Sequence, residues 1–242
     1  MSTKNKYNVD QYPPMFNTVD IALFSVIDGE LGVMLIKRAE DPYKDCWALP
    51  GGYVDVNVDE DALAAARREL EEETNLKDIY LEQLYTFTKK GRDPREEWAN
   101  RPCRIFSIAH FALIDHLKVK AIAGSDASEV GWFKISKLPK LSFDHGEIIK
   151  TAVNRIRNKI NYTNVGFELV PAKFTIPELR QVLEQVLGRE LNPANFRTKL
   201  LKLGILKDTG LKKAEGRGQP APIYELNRKK LSLITNGETL FN

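Results

Sequence analysis

The chain has 242 residues, 43% of them hydrophobic and 29% charged, values ordinary for a globular protein that exclude a wholly disordered one. No apolar run approaches the roughly 20 residues that cross a bilayer. The polar segment from Met1 to Tyr12 lacks a secretory signal's apolar stretch, and Cys46 and Cys103 form neither a CxxC pair nor a disulfide framework, so a cytoplasmic protein is expected. The net charge of +3 divides into −3 before Pro171 and +6 from there onward. An acidic front and a basic back point to two domains with different partners.

In chain order, Val19 to Ile27 and Leu31 to Ile36 predict a buried hairpin closed by Asp28-Gly29-Glu30. Leu49-Pro50-Gly51-Gly52 breaks the chain, and Asp59 to Thr74 predicts a helix. Ile79 to Thr88, Arg104 to Ile114 and Gly131 to Phe133 follow as strands. Glu147 to Lys159 is a helix by the spacing of Ile148, Ile149, Ala152, Val153 and Ile156. This order predicts an α/β or α+β domain over residues 1–160 and a linker over 161–171.

Residues 172–242 have a different texture. Thr175 to Leu187 predicts a helix with Thr175 as N-cap, Pro177 in the first turn and Gly188 as its stop. Asn192 to Leu203 predicts a second, capped by Asn192, with Pro193 first and Gly204 as terminator. Leu206 to Leu211 and Ile223 to Leu226 are strands flanking a basic, glycine-rich run that holds Lys212, Lys213 and Arg217. Helix, turn, helix and basic hairpin is the order of a winged helix-turn-helix.

On the predicted helix, Glu69, Glu72 and Glu73 stand at i, i+3 and i+4 and crowd one face, with Ala62 and Ala65 leaving open space beside them. Clustered carboxylates repel one another, and Mg²⁺ or Mn²⁺ would turn that cost into binding. The plain alternative is a solvated acidic face with an Arg68–Glu72 pair. Gly51 and Gly52 upstream let the backbone approach a phosphate or offer a carbonyl to the same metal.

Arg68-Glu69-Leu70-Glu71-Glu72-Glu73 resembles the REUxEE core of the Nudix box, with Glu60 eight residues before Arg68 and Leu76 in the final apolar position. The resemblance implies an α/β/α sandwich around a mixed sheet. It implies a catalytic group of Arg68, Glu69, Glu72 and Glu73, and a metal held by the three glutamates with the Gly51-Gly52 backbone. Arg68 and Glu60 would keep loop and helix in register. Two departures stand out: the loop from Gly52 to Glu60 is two residues longer than the general box, and Asn75 replaces the usual glycine, a mild change because Asn tolerates left-handed angles.

Arg92-Asp93-Pro94-Arg95, Trp47 to Gly52, and Leu141 to His145 resemble segments of ADP-ribose-handling Nudix domains. That resemblance implies substrate contacts from Arg38, Trp47, Arg92, Asp93 and Arg95, with Arg92 and Arg95 suited to phosphates and Trp47 either stacking on adenine or filling the core. The insertion from Glu96 to Pro102 supplies a catalytic glutamate or reshapes substrate preference, and His145 is expected to make a structural hydrogen bond.

The whole arrangement resembles the NrtR-type regulators, in which a Nudix domain senses ADP-ribose or a related ligand and a winged helix binds operator DNA as a dimer. Asn195, Arg197, Thr198, Lys199 and Lys202 would then face a major groove, and Lys212, Lys213 and Arg217 phosphates or a minor groove. Because the box keeps Arg68 and its glutamates, the sequence ranks metal-dependent hydrolysis of ADP-ribose to AMP and a sugar phosphate first. A DNA-binding regulator with little or no catalysis comes second.

Overall fold

The computed structural model describes residues 8–116, 122, 127–160, 165–214, 219–227 and 230. Period-two alternation in β1 (Met15–Ile27) sends Val19, Ile21 and Leu23 to one face and Ala22 and Phe24 to the other, all of them buried. The expected hairpin joins it to β2 (Glu30–Arg38), with Asp28 and Gly29 in the left-handed region. The segment expected only to break the chain carries two short strands, β3 (Trp47–Ala48) on β2 and β4 (Gly51–Tyr53) on β1. Gly51 is required there: its φ is +153°, and a Cβ would fall 2.0 Å from the Val19 carbonyl oxygen.

Helix α1 (Ala62–Thr74) starts three residues later than expected, because the Asp61 carboxylate accepts the Ala64 N–H and caps it. It ends on Asn75 at φ 58°, the left-handed conformation that residue tolerates. Ala65, Ala66 and Leu70 pack on the Val19–Ile21–Leu23 face, so Ala65 is core and borders no open space. β5 (Glu82–Phe87) is shorter than the expected strand, and α2 (Arg95–Trp98) is one helical turn. β6 (Arg104–Leu113) runs parallel to β1, and β7 (Ala127–Lys134) lengthens the expected short strand along β2. With α3 (His145–Ile160) on the opposite face from α1, the seven-stranded sheet completes an α/β/α sandwich.

The described part of the expected linker is not a bare spacer. Residues Val165–Leu169 form a 3₁₀ turn, and Phe167, Leu169 and Val170 are buried because apolar side chains fold onto the core. β8 (Lys173–Thr175), which the sequence reading missed, leads into α4 (Ile176–Leu187), followed by α5 (Pro193–Lys202). β9 (Leu206–Lys213) and β10 (Ala221–Leu226) complete a three-stranded sheet in the order β8-β10-β9. Both expected caps form: Thr175 and Glu178 exchange hydrogen bonds in a capping box, and Asn192 accepts the Asn195 N–H.

One apolar cluster runs from Phe24 of β1 through Ile156 of α3 to Leu183 and Val186 of α4. Beside it Arg157 of α3 donates to the Val186 carbonyl at 2.9 Å. Thr175→Ala removes the capping box at the entry to this helix. Its expected cost is about 1 kcal/mol, read as a lower urea midpoint with an unchanged m-value.

Candidate functional site

Alternation along β1 turns Asp20 toward the α3 side of the sheet, where it is 6% exposed. The Ser107 hydroxyl, His145 Nε2 at 3.2 Å and Arg92 Nη2 at 3.4 Å surround its carboxylate. Burial opposes ionisation, but the His145 ring, the Arg92 guanidinium and Ser107 outweigh it and hold the carboxyl pKa at about 2. His145 Nδ1 accepts the Leu49 N–H at 2.8 Å, which leaves Nε2 to carry the hydrogen toward Asp20. His145 thus makes the structural hydrogen bonds expected of it. Arg92 gives Nε and Nη2 to Asp144 at 3.0 and 2.7 Å. Its buried guanidinium therefore spends these donors on two carboxylates and pins the cleft that it lines.

Over this network lies an open cleft lined by Arg38, Gly51, Gly52, Asp93, Arg95 and Phe143, among others. Arg95 grips Asp93 through Nε and Nη2, at 2.9 and 2.5 Å, and its guanidinium lies 4.6 Å from the Tyr53 ring centroid. Arg38 donates Nε to the Pro42 carbonyl at 2.7 Å. The fold thus brings Arg38, Asp93 and Arg95 together as expected, with Arg92 beneath them. Trp47 does not join them: its ring packs on Phe133 at 4.4 Å and its carbonyl receives Ser142, so it takes the core role.

Glu96 accepts the Gly91 and Ile105 N–H groups, each at 3.0 Å, so this glutamate brackets the insertion against β6. Asp20, Ser107, Tyr53 and Phe143 escaped the sequence reading as site residues. One signal was available, since an aspartate inside the apolar run from Val19 to Ile27 requires a buried partner.

On the α1 side, Arg68 donates to Asp59 at 2.9 and 2.8 Å, to Glu69 at 2.9 Å, to Glu72 at 3.0 Å and to the Tyr53 carbonyl at 3.0 Å. Asp59 therefore takes the place expected of Glu60, which is exposed; the longer loop accounts for the shift. Buried Glu73 accepts the Gly51 N–H at 2.7 Å, and a Cβ on Gly52 would come within 2.3 Å of Glu69 Oε1. The glycine pair meets the cleft on one side and two of the helix carboxylates on the other. These hard oxygen donors suit a divalent cation chemically. As arranged, Arg68 supplies the compensating charge, and no three acidic, histidine or cysteine side chains converge as an ion cage among the described residues.

In the C-terminal part of the chain, α5 is anchored by buried Phe196 and Leu200, while Asn195, Arg197, Thr198, Lys199 and Lys202 are exposed. Lys212 and Lys213 are exposed on β9, where Lys213 reaches Glu178 of the capping box. Arg217 lies outside the described residues. No helix among the described residues is long and apolar enough to cross a membrane.

Residues 17–152 match the family model of the NUDIX domain, and residues 166–226 match that of the NrtR DNA-binding winged helix domain. The chain is 36% identical over 222 residues to the ADPR responsive transcriptional repressor NtrR of Acinetobacter baylyi, covering 90% of this chain and 85% of that protein. It is 36% identical over 130 residues to the ADP-ribose pyrophosphatase of Methanocaldococcus jannaschii, covering 54% of this chain and 70% of that one. The NrtR of Shewanella oneidensis, crystallised with a 27mer DNA, superposes with a TM-score of 0.74 at 34% identity over 89% of this chain and 95% of that chain.

The Asp20 network has a pH signature. A folded pKa of about 2 lies below the unfolded value near 3.9, so the stability it contributes is complete above about pH 5 and is lost as pH falls through 4 toward 2. Urea midpoints across this range should show about 2 kcal/mol of acid sensitivity in the native chain that Asp20→Asn lacks.

Proposed function

The chain belongs to the Nudix family and ends in the winged helix of the NrtR regulators, and on that basis we propose that it is an ADP-ribose-responsive, DNA-binding transcriptional regulator, acting as a homodimer. The observation that carries this reading is the extent of the similarity. The match to the Acinetobacter repressor runs through both parts of the chain, whereas the match to the pyrophosphatase covers 54% of it. This reverses the order drawn from the sequence, which placed hydrolysis first. The division follows the same line, with an effector domain over residues 1–160 and a DNA-binding domain over 172–242.

In this reading α5 enters the major groove with Asn195, Arg197, Thr198, Lys199 and Lys202, and the wing lysines meet phosphates. Arg38 and Arg95 receive the effector's diphosphate. The response has a physical route. α3 begins at the cleft with His145, next to Asp144, and carries Arg157 against the end of α4.

Gel shifts on DNA upstream of the gene should show binding that ADP-ribose weakens about tenfold, a coupling of about 1.4 kcal/mol. Arg197→Ala should weaken DNA binding about tenfold and leave ADP-ribose affinity unchanged, as isothermal titration would show. No shift even at low salt would sink the regulator, since the phosphate contribution is strongest there.

Retention of Glu69, Glu72 and Glu73 favours a second activity, slow hydrolysis of ADP-ribose to AMP and a sugar phosphate. Mg²⁺ or Mn²⁺ on those carboxylates would neutralise the diphosphate and activate water. AMP release that disappears in Glu73→Gln while operator binding persists is the expected result. Equal release from both proteins would refute it.

A further inference from the structure

Resting on the reading of the cleft as the effector site, we infer that Phe143 is a positioning residue that holds Arg38 and Arg95 as a two-pronged receptor for the diphosphate of the ligand. Both guanidiniums lie over the same ring, 5.1 and 5.5 Å from its centroid. Two cations share one aromatic face-former because the ring's quadrupole attracts each of them while they repel one another. Asp93 neutralises Arg95, whereas Arg38 donates to the neutral Pro42 carbonyl, and no carboxylate forms an ion pair with it among the described residues. Burial and the neighbouring Arg95 work against the charge of Arg38 and outweigh the more distant pull of Glu73, Asp93 and Asp20. A doubly charged oxyanion offers what that position lacks, and the guanidinium fork matches its geometry.

The backbone of Phe143 supports this assignment. Its φ is +50°, a region that bulky side chains rarely adopt. The conformation is held from both sides of the turn, because Ser142 before it donates to the Trp47 carbonyl, and after it Asp144 grips Arg92 and His145 is fixed by Asp20 and the Leu49 N–H. Tyr43 closes on the ring edge-on at 4.9 Å. Glycine would relieve the backbone and forfeit the ring. Strain maintained by its surroundings at the floor of a cleft points to the side chain as the part being used.

The test is isothermal titration of the full chain with inorganic pyrophosphate and with ADP-ribose, beside melting curves. Phe143→Leu, which keeps apolar bulk without a π face, should weaken both ligands about tenfold, and Phe143→Tyr should restore them. Arg38→Gln should cost less in the Phe143→Leu background than in the native chain, because the leucine variant has already released that prong. A Phe143→Leu protein that melts normally and binds pyrophosphate as the native chain does would overturn the assignment, as would strictly additive losses. Pyrophosphate binding with no ADP-ribose binding would leave the receptor standing and remove the effector reading. Failure to bind either would remove both.

Discussion

A carboxylate buried in the middle of an apolar strand is costly unless its charge is matched, and at Asp20 the matching groups come from distant parts of the chain. Ser107 arrives on β6, Arg92 on the loop before α2, and His145 at the start of α3. Two of these are themselves constrained: Arg92 by Asp144, and His145 by the Leu49 N–H. The buried charge therefore fixes where the β3–β4 segment, the loop before α2 and α3 meet. The cleft forms at that meeting point.

A similar logic governs the other side of β4. The carboxylates of α1 cannot lie together unopposed, and Arg68 spreads its donors over Asp59, Glu69 and Glu72. Gly52 admits Glu69 because it carries no Cβ, and Gly51 for the same reason lies close against the Val19 carbonyl of β1. The Nudix helix is thus joined to the ligand cleft through two residues. A cation entering the carboxylates would compete with Arg68 for the same oxygens.

The winged helix is attached to this machinery by packing. Phe167, Leu179, Leu183 and Val186 continue the apolar cluster that α3 begins on the sheet. A shared core resists independent movement, since interiors are close-packed and transmit displacement. α5 has the opposite character. Two buried side chains anchor it, and the rest of its surface is exposed. A stiff connection to a helix with an exposed polar face is what the proposed regulator requires.

Much of this organisation is legible in the residues themselves. Period-two alternation identifies β1 and β2, helical spacing identifies α1, α3 and α4, and the caps at Thr175 and Asn192 mark helix starts to the residue. These are local properties, set by backbone geometry and by side chains three or four positions apart. The acidic and basic halves and the Nudix glutamates are legible for the same reason. Pairings across long separations are not. The sequence alone could not exchange Glu60 for Asp59 beside Arg68, decide between ligand and core for Trp47, or find Asp144 and Asp20 for Arg92. Each choice depends on which charge or ring a neighbouring element brings within about 4 Å, where electrostatic and packing energies become decisive. Sequence determined the modules and their chemistry; tertiary structure decided which arginines face the cleft, because buried charges must find partners before any remain for a ligand.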